Sequence, residues 1–415
     1  MLSAFFHKLG LYLSFTLCQV TNFGCAYGAE SVEPPSNLQL KLPSGFHINI
    51  FAKLAENYGQ PRMLAVDKQG RLYAALASTN QVVMLPDSNK DGVAETPIVI
   101  ANNLNSPNSL VLIDDMMLIA NQDGVVKLTK SAEKWSKPQP FISNLAFGHH
   151  TQKTIKFGPD NHLYINIGSS CNVCVESDPT RATIQRYTLE GKPAGSLVTL
   201  GRHAADPTWA KGLRNSQGFA WHPKTGAMFA TNNGSDMRSG SKNGKVNDEL
   251  PPEHLNKIEP GKHYGWPYCW ANTDDLKATD SKAMVQDPNF VGEANFCQST
   301  TPPAITFISH STPIGITFLD KTNWPAEYKN DAIVALHGSW NRQKPSGYKL
   351  VRVKFNSDKP TEVTDFATGW LNAEQEKGNP NVWGRPIDAI VGADGALYVS
   401  DDRAGYIYRI THKPN

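Results

Sequence analysis

A histidine that opens a strand, an arginine followed by an asparagine, and two closely spaced cysteines are the residues of this chain whose types and spacing could do chemistry. In GHHTQKTIKFGPD, His150 lies just ahead of an apolar run and a GPD turn. An imidazole titrates at about 6.5, so its neutral form is available near pH 7 to take a proton. Taken by itself such a histidine is more often a structural residue, and the adjacent His149 reads as one that packs or hydrogen-bonds locally. The segment CNVC holds Cys171 and Cys174 at redox-pair or half-zinc-site spacing, but no second CxxC or His-rich cluster completes a metal set. Val175 stands where covalent haem attachment needs a histidine. With Cys269 and Cys297 these make an even set of four downstream of the first thirty residues. Three pairings are possible, and proximity favours Cys171 with Cys174 and Cys269 with Cys297. In DSNKDG, residues Asp87, Asn89 and Asp91 have the spacing of the first ligands of a calcium loop, and Gly92 permits its turn. Position twelve is Ile98, so the bidentate glutamate is missing and an ordinary solvated turn is the favoured reading. Asp248 and Glu249 read as a solvated face or part of a site loop. Tyr264, Trp266, Tyr268 and Trp270 offer either a sugar-stacking surface or packing within their own segment.

The elements that must position these residues repeat. An apolar run, a turn of Asp, Gly, Lys or Asn, and a second strand recur six times, beginning at Ala65, Leu110, Ile155, Phe219, Gly315 and Ala389. Each reads as a β-hairpin, because two half-buried strands flank residues that tolerate positive φ or start a type I turn. Six such units tiling the chain predict an all-β, six-bladed β-propeller over residues 40–412, with a long loop insertion around 243–299 lying over one face. A doubly wound α/β fold loses, since no stretch between strand pairs keeps a helical period. Residues 1–29 read as an export signal: His7 and Lys8, the apolar run from Leu9 to Val20, then small residues to Ala29. The run is shorter than the roughly 20 residues of a membrane span, so no stable membrane insertion is expected, and the chain reads as exported, periplasmic or secreted. With 40 basic and 38 acidic residues and no large single-sign block, a nucleic-acid partner is not expected.

The fourth copy is preceded by GLRNSQGFAWHP and followed by TNNGSD and NDELPPEHLNKIEPGKHYGWP, and farther on come HSTPIG and ALHGSWNRQKPSGYKLVRV. From about Leu42 to Ile410 this order resembles the soluble pyrroloquinoline quinone (PQQ)-dependent sugar dehydrogenases, and is most similar to their sorbosone dehydrogenase-like branch. The resemblance implies PQQ over the central channel with Ca2+ beside it. It implies His150 as catalytic base and Arg214 as the cation facing charge on the quinone oxygen. It also implies Asn215 and Asn233 as cofactor contacts with Gln217 as a supporting neighbour, and Gly234 and Ser235 as the metal's backbone ligands. Arg385 matches a carboxylate-binding arginine, and His337 takes the place of a cofactor-binding lysine as a weaker, pH-dependent cation. His310 and Asn108 stand near further polar contacts. Three positions depart from the family pattern: Ser169 replaces an acidic residue that orients the base, Ile387 a second arginine, and His337 the lysine. The activity implied is oxidation of a sugar or sugar aldehyde, glucose- or sorbosone-like, with electrons passing to an external quinone or cytochrome. The alternatives are a calcium-dependent sugar lactonase, which needs carboxylate and Asn ligands converging on the channel centre, and a non-catalytic binding propeller.

Overall fold

The computed structural model describes residues 40–196, 206–272, 284–371 and 382–413; the expected signal segment lies outside them. Six antiparallel sheets of at least four strands make up the ring. Each begins with one of the hairpins read from the sequence: Pro61–Val66 with Leu72–Leu76, Ser109–Ile113 with Met116–Ala120, Ile155–Phe157 with Leu163–Ile167, Phe219–Trp221 with Met228–Asn232, Pro313–Phe318 with Ala332–Leu336, and Pro386–Val391 with Leu397–Asp401. The turn chemistry is visible in the first. Asp67 Oδ1 accepts from the backbone N–H of Gln69 at 3.0 Å and of Arg71 at 2.9 Å, so the side chain closes the turn that the sequence marks.

The first strands of successive blades touch one another around the axis, while the cores lie between neighbouring sheets. Between the fourth and fifth blades, Phe229, Leu255 and Phe307 meet Ile316, Val334 and Phe355, and each such burial contributes about 1.5–3 kcal/mol. The ring closes by pairing strands that lie far apart in sequence. Phe46–Lys53 forms the outermost strand of the sixth blade, running antiparallel to Tyr406–His412 with Phe46 opposite His412 and Lys53 opposite Tyr406.

One expectation needs correction. The stretch 243–299 is not a single loop, because Glu253–Ile258 is the third strand of the fourth blade. Its polar sequence, EHLNKI, hides a strand in which Glu253, His254 and Asn256 are all buried. The remainder is an excursion before the blade's outer strand, Ile305–Phe307. It holds a two-stranded ribbon, Cys269–Ala271 with Met284–Gln286, and a short helix, Ala294–Ser299. Cys269–Cys297 ties that helix to the ribbon, and Cys171–Cys174 closes the other expected disulfide. Among the described residues no helix is long and apolar enough to cross a membrane.

Candidate active site

At one mouth of the channel, the residues that enter the inner strands meet those that leave the second strands. His150 enters the third blade. Its Nδ1 lies 2.8 Å from Ser169 Oγ and 3.2 Å from the Ser169 carbonyl. Ser169 Oγ donates to the Cys171 carbonyl at 2.7 Å, so toward His150 that oxygen accepts. Two acceptors facing Nδ1 assign the proton to Nδ1 and leave the lone pair on Nε2. A serine thus does the orienting that the resemblance gives to an acid. Burial first, then the neighbouring Arg214 and His149, push the His150 pKa down to about 3. Gly168 is required here, since a Cβ on it would lie 2.4 Å from the His150 Cβ and 2.6 Å from its carbonyl oxygen.

Arg214 is 3% exposed and uses almost every donor. Nε reaches the Asn172 carbonyl at 3.0 Å, Nη1 the Gly234 carbonyl at 2.7 Å, and Nη2 both Asn172 Oδ1 at 2.9 Å and Asp236 Oδ2 at 3.1 Å. Asn172 belongs to the CNVC loop, and its carbonyl also accepts from Trp266 Nε1 at 3.2 Å. Its amide binds the Asp236 backbone on both edges, Nδ2 to O at 2.9 Å and Oδ1 from N at 2.8 Å. The two cysteines are therefore a brace for a loop that holds Arg214. With both sulfurs in the disulfide, their grouping with Glu176 supplies no thiolate to a metal.

Asp236 carries the network onward. Burial alone would raise its pKa, but His310, Arg214 and Asn341 together hold it below the ordinary carboxylate range. His310, at φ +61°, places Nδ1 3.5 Å from Asp236 Oδ1. Burial would lower the His310 pKa, yet Asp236 and Glu253 hold it above the usual imidazole value. Beneath this segment the buried Glu253 accepts the Gly234 N–H through Oε2, and burial pushes its pKa up to about 7.

Across the channel lies a residue that the sequence did not single out. Arg62, entering the first blade, donates from Nε to Asn108 Oδ1 at 2.9 Å, from Nη1 to Asp402 Oδ2 at 2.6 Å and from Nη2 to Gln217 Oε1 at 3.1 Å. These partners belong to the second, sixth and fourth blades, so the guanidinium stands near the axis. Asn108 is occupied on its other edge by the Lys153 carbonyl at 3.0 Å and Thr154 Oγ1 at 3.2 Å, which makes it a holder of Arg62 with no donor to spare. His337 Nε2 lies 2.7 Å from Asp402 Oδ1, yet burial and Arg385 push its pKa down to about 4. His337 and Asp402 thus form a close buried pair, and Arg62 and Arg385 stand beside it as permanent cations. Arg385 is aimed by the carbonyls of His337 at 3.0 Å and Gly338 at 2.6 Å. Ile387, where a second arginine was expected, is fully buried against Met63 and Ile314 as an apolar cluster.

Asn215 and Asn233 are joined through their backbones at 3.1 Å, and the Oδ1 of each is buried with no donor. Ser235 is buried beside them. Tyr264, Trp266, Tyr268 and Trp270 are all buried, so they pack their own segment and present no face to a sugar. In DSNKDG the turn is closed by its own side chains, with Asp91 N–H donating to Asn89 Oδ1 at 3.1 Å and Val93 N–H to Asp91 Oδ1 at 2.9 Å.

The profile of the TrAA12-like family matches residues 40–413. The chain belongs to that family. This TrAA12-like chain is 27% identical over 385 residues to an uncharacterized protein of Borreliella burgdorferi, an alignment covering 90% of this chain and 91% of the other. It is 23% identical over 416 residues to the pyrroloquinoline quinone-dependent pyranose dehydrogenase of Coprinopsis cinerea, covering 91% of this chain but 55% of that longer protein. Among solved structures it superposes on a Trichoderma reesei carbohydrate-active enzyme of family AA12 with a TM-score of 0.76 at 19% identity, over 93% of this chain and 99% of the other. The PQQ domain of the Coprinopsis pyranose dehydrogenase superposes with a TM-score of 0.73 at 20% identity, over 90% of this chain and 97% of that domain. At these identities the structures establish the shared propeller.

Proposed function

We propose that this TrAA12-like propeller is a quinoprotein dehydrogenase that oxidises a sugar or sugar aldehyde with PQQ and Ca2+ as cofactors. The observation that carries the reading is the convergence at one channel mouth of His150, whose Nδ1 is held by Ser169, the buried cation Arg214, and two further cations, Arg62 and Arg385. PQQ is a tricarboxylate, and Arg62 and Arg385 suit its carboxylates. The unpartnered Oδ1 atoms of Asn215 and Asn233 suit polar contacts to the same group or its metal. The carbonyls of Gly234 and Ser235 are hard oxygen donors of the kind calcium takes, and a cation there would draw Glu253, behind Gly234, toward its ionised form. Gly234 O already accepts from Arg214 and keeps one lone pair.

When bound, PQQ supplies a two-electron hydride acceptor and calcium a Lewis acid that polarises it. The residues of this chain do the rest. His150 receives the substrate hydroxyl proton at Nε2 while Ser169 fixes its ring, and Arg214 offers a cation to developing negative charge, held in place by Asn172 and Asp236. The lactonase reading fares worse, because Asp402, Gln217 and Asn108 converge on the channel but enclose the Arg62 guanidinium where a metal would have to sit. Export to the periplasm or medium, and an external quinone or cytochrome as acceptor, belong to the same proposal.

Titration of the purified apoprotein with PQQ, with and without calcium, followed by absorbance on adding aldoses and sorbosone, tests it. Calcium-dependent binding with sugar-driven reduction supports the dehydrogenase, and a folded protein that fails to bind PQQ refutes it. His150→Ala is expected to abolish turnover while leaving PQQ binding within about threefold, because the base acts on the substrate.

A further inference from the structure

Of the nine tryptophans, eight are buried or half-buried, whereas Trp340 is 70% exposed. A lone exposed apolar residue needs no explanation by itself, but the loop that carries this one is tied down on every side. Ser339 and Ser346 exchange bonds, N–H to carbonyl at 2.9 Å and N–H to Oγ at 3.0 Å, and Tyr348 OH donates to the Ser339 carbonyl. Ser346 Oγ and Arg342 Nη1 each reach the Ser309 carbonyl at 3.0 Å, Arg342 pairs with Glu249, and Gln343 N–H meets Asp248 Oδ2 at 2.8 Å. The loop thus presents the indole in a fixed place. That place is the wall of the site: the next residue, Asn341, donates through Nδ2 to Asp236 Oδ1 at 3.1 Å, and Asp236 holds Arg214. The neighbouring Asn341 and Arg342 turn inward, with Asn341 Oδ1 and Arg342 Nε buried, while the indole faces solvent. An exposed aromatic face held at the wall of the site complements the apolar C–H face of a pyranose.

We propose that Trp340 is a stacking platform for a second sugar ring, so that the site prefers an oligosaccharide carrying the reacting sugar at its end over the free monosaccharide. This rests on the dehydrogenase reading of the same site. The test compares glucose with cellobiose and with maltose, measuring equilibrium binding by indole fluorescence and kcat/KM by acceptor reduction. At least one disaccharide is expected to bind about tenfold or more tightly than glucose. Trp340→Ala should erase that preference without changing kcat/KM for glucose, and Trp340→Phe should retain most of it. Equal affinity for all three sugars, or a preference that survives in Trp340→Ala, overturns the proposal. A variant that slows only transfer to a macromolecular acceptor, with the disaccharide preference intact, also overturns it, because the indole would then serve a protein partner. Binding and turnover fail separately: a protein that oxidises glucose with no disaccharide preference loses this inference alone. One that binds the disaccharide through Trp340 yet oxidises no sugar loses the dehydrogenase reading alone.

Discussion

Replacing Ser169 by alanine removes one oxygen from the set that orients His150, and the size of the effect can be worked from the geometry. The lost contact is the 2.8 Å bond from Nδ1–H to Oγ, while the Ser169 carbonyl at 3.2 Å remains as an acceptor. The tautomer therefore survives and only one neutral hydrogen bond is lost, a net effect of about 0.5–1.5 kcal/mol. At about 1.4 kcal/mol per tenfold, kcat/KM should fall by about 2- to 13-fold. Ser169→Asp does something different. A carboxylate beside the ring favours the imidazolium, so the His150 pKa should climb from about 3 toward ordinary values. In the wild type the base stays neutral down to about pH 3, so His150 contributes no acid limb to the profile between pH 5 and 8. In Ser169→Asp an acid limb should move up into that window, with activity falling as pH drops through it. Steady-state kcat/KM from pH 4 to 8 measures both effects. A Ser169→Ala enzyme indistinguishable from wild type, together with a Ser169→Asp profile whose acid limb has not moved, would refute the orientation of His150 by Ser169.

Arg62→Met should weaken PQQ binding by about 10- to 150-fold through loss of a charge-assisted contact, and lower stability by about 3 kcal/mol because Asp402 keeps only its His337 partner. Titration and urea unfolding read the two separately, and wild-type PQQ affinity would make Arg62 a structural residue only. The two disulfides should divide stability and activity between them. Loss of Cys269–Cys297, with a separation of 28, should cost about 3.6 kcal/mol and loss of Cys171–Cys174, with a separation of 3, about 2 kcal/mol. The paired serine variants at 171 and 174 should nevertheless lose more turnover, since Asn172 then holds Arg214 less firmly. His254 is buried with no partner on either ring nitrogen, and burial pushes its pKa down to about 4. The unfolded chain, titrating at about 6.5, binds the proton first, so stability is full above that pH and falls as pH declines toward 4. Going from pH 8 to pH 5, His254→Phe should gain about 2 kcal/mol relative to wild type in urea unfolding.

The inner hairpins were legible because their turns are written in Asp, Gly and Asn and their strands in apolar residues. Glu253–Ile258 was not, because a strand beside the site buries Glu253, His254 and Asn256, and polar residues read as loop. His150, Arg214 and Arg385 stood out through their surrounding strings, whereas Arg62 sits in an unremarkable QPRML and Asp402 in the last turn of the ring. A positional signal did exist. Arg62, Asn108, Asn215 and Arg385 all stand within four residues of the start of an inner strand, and comparing the repeats around their hairpins would have collected them. No such register finds Asn172 or Trp340, whose places are set by loops that differ from blade to blade. The charge of His337, a pH-dependent cation by its residue type, is set by burial, Arg385 and Asp402, which composition does not reveal.

The pairing of Phe46–Lys53 with Tyr406–His412 has a consequence for quality control. Asp402, which anchors Arg62, lies four residues before the strand that receives Phe46–Lys53. A chain cut short before that point lacks both the last clasp of the ring and the carboxylate that aligns the axial arginine. Synthesis products that end before Asp402 therefore lose shape and chemistry at the same step.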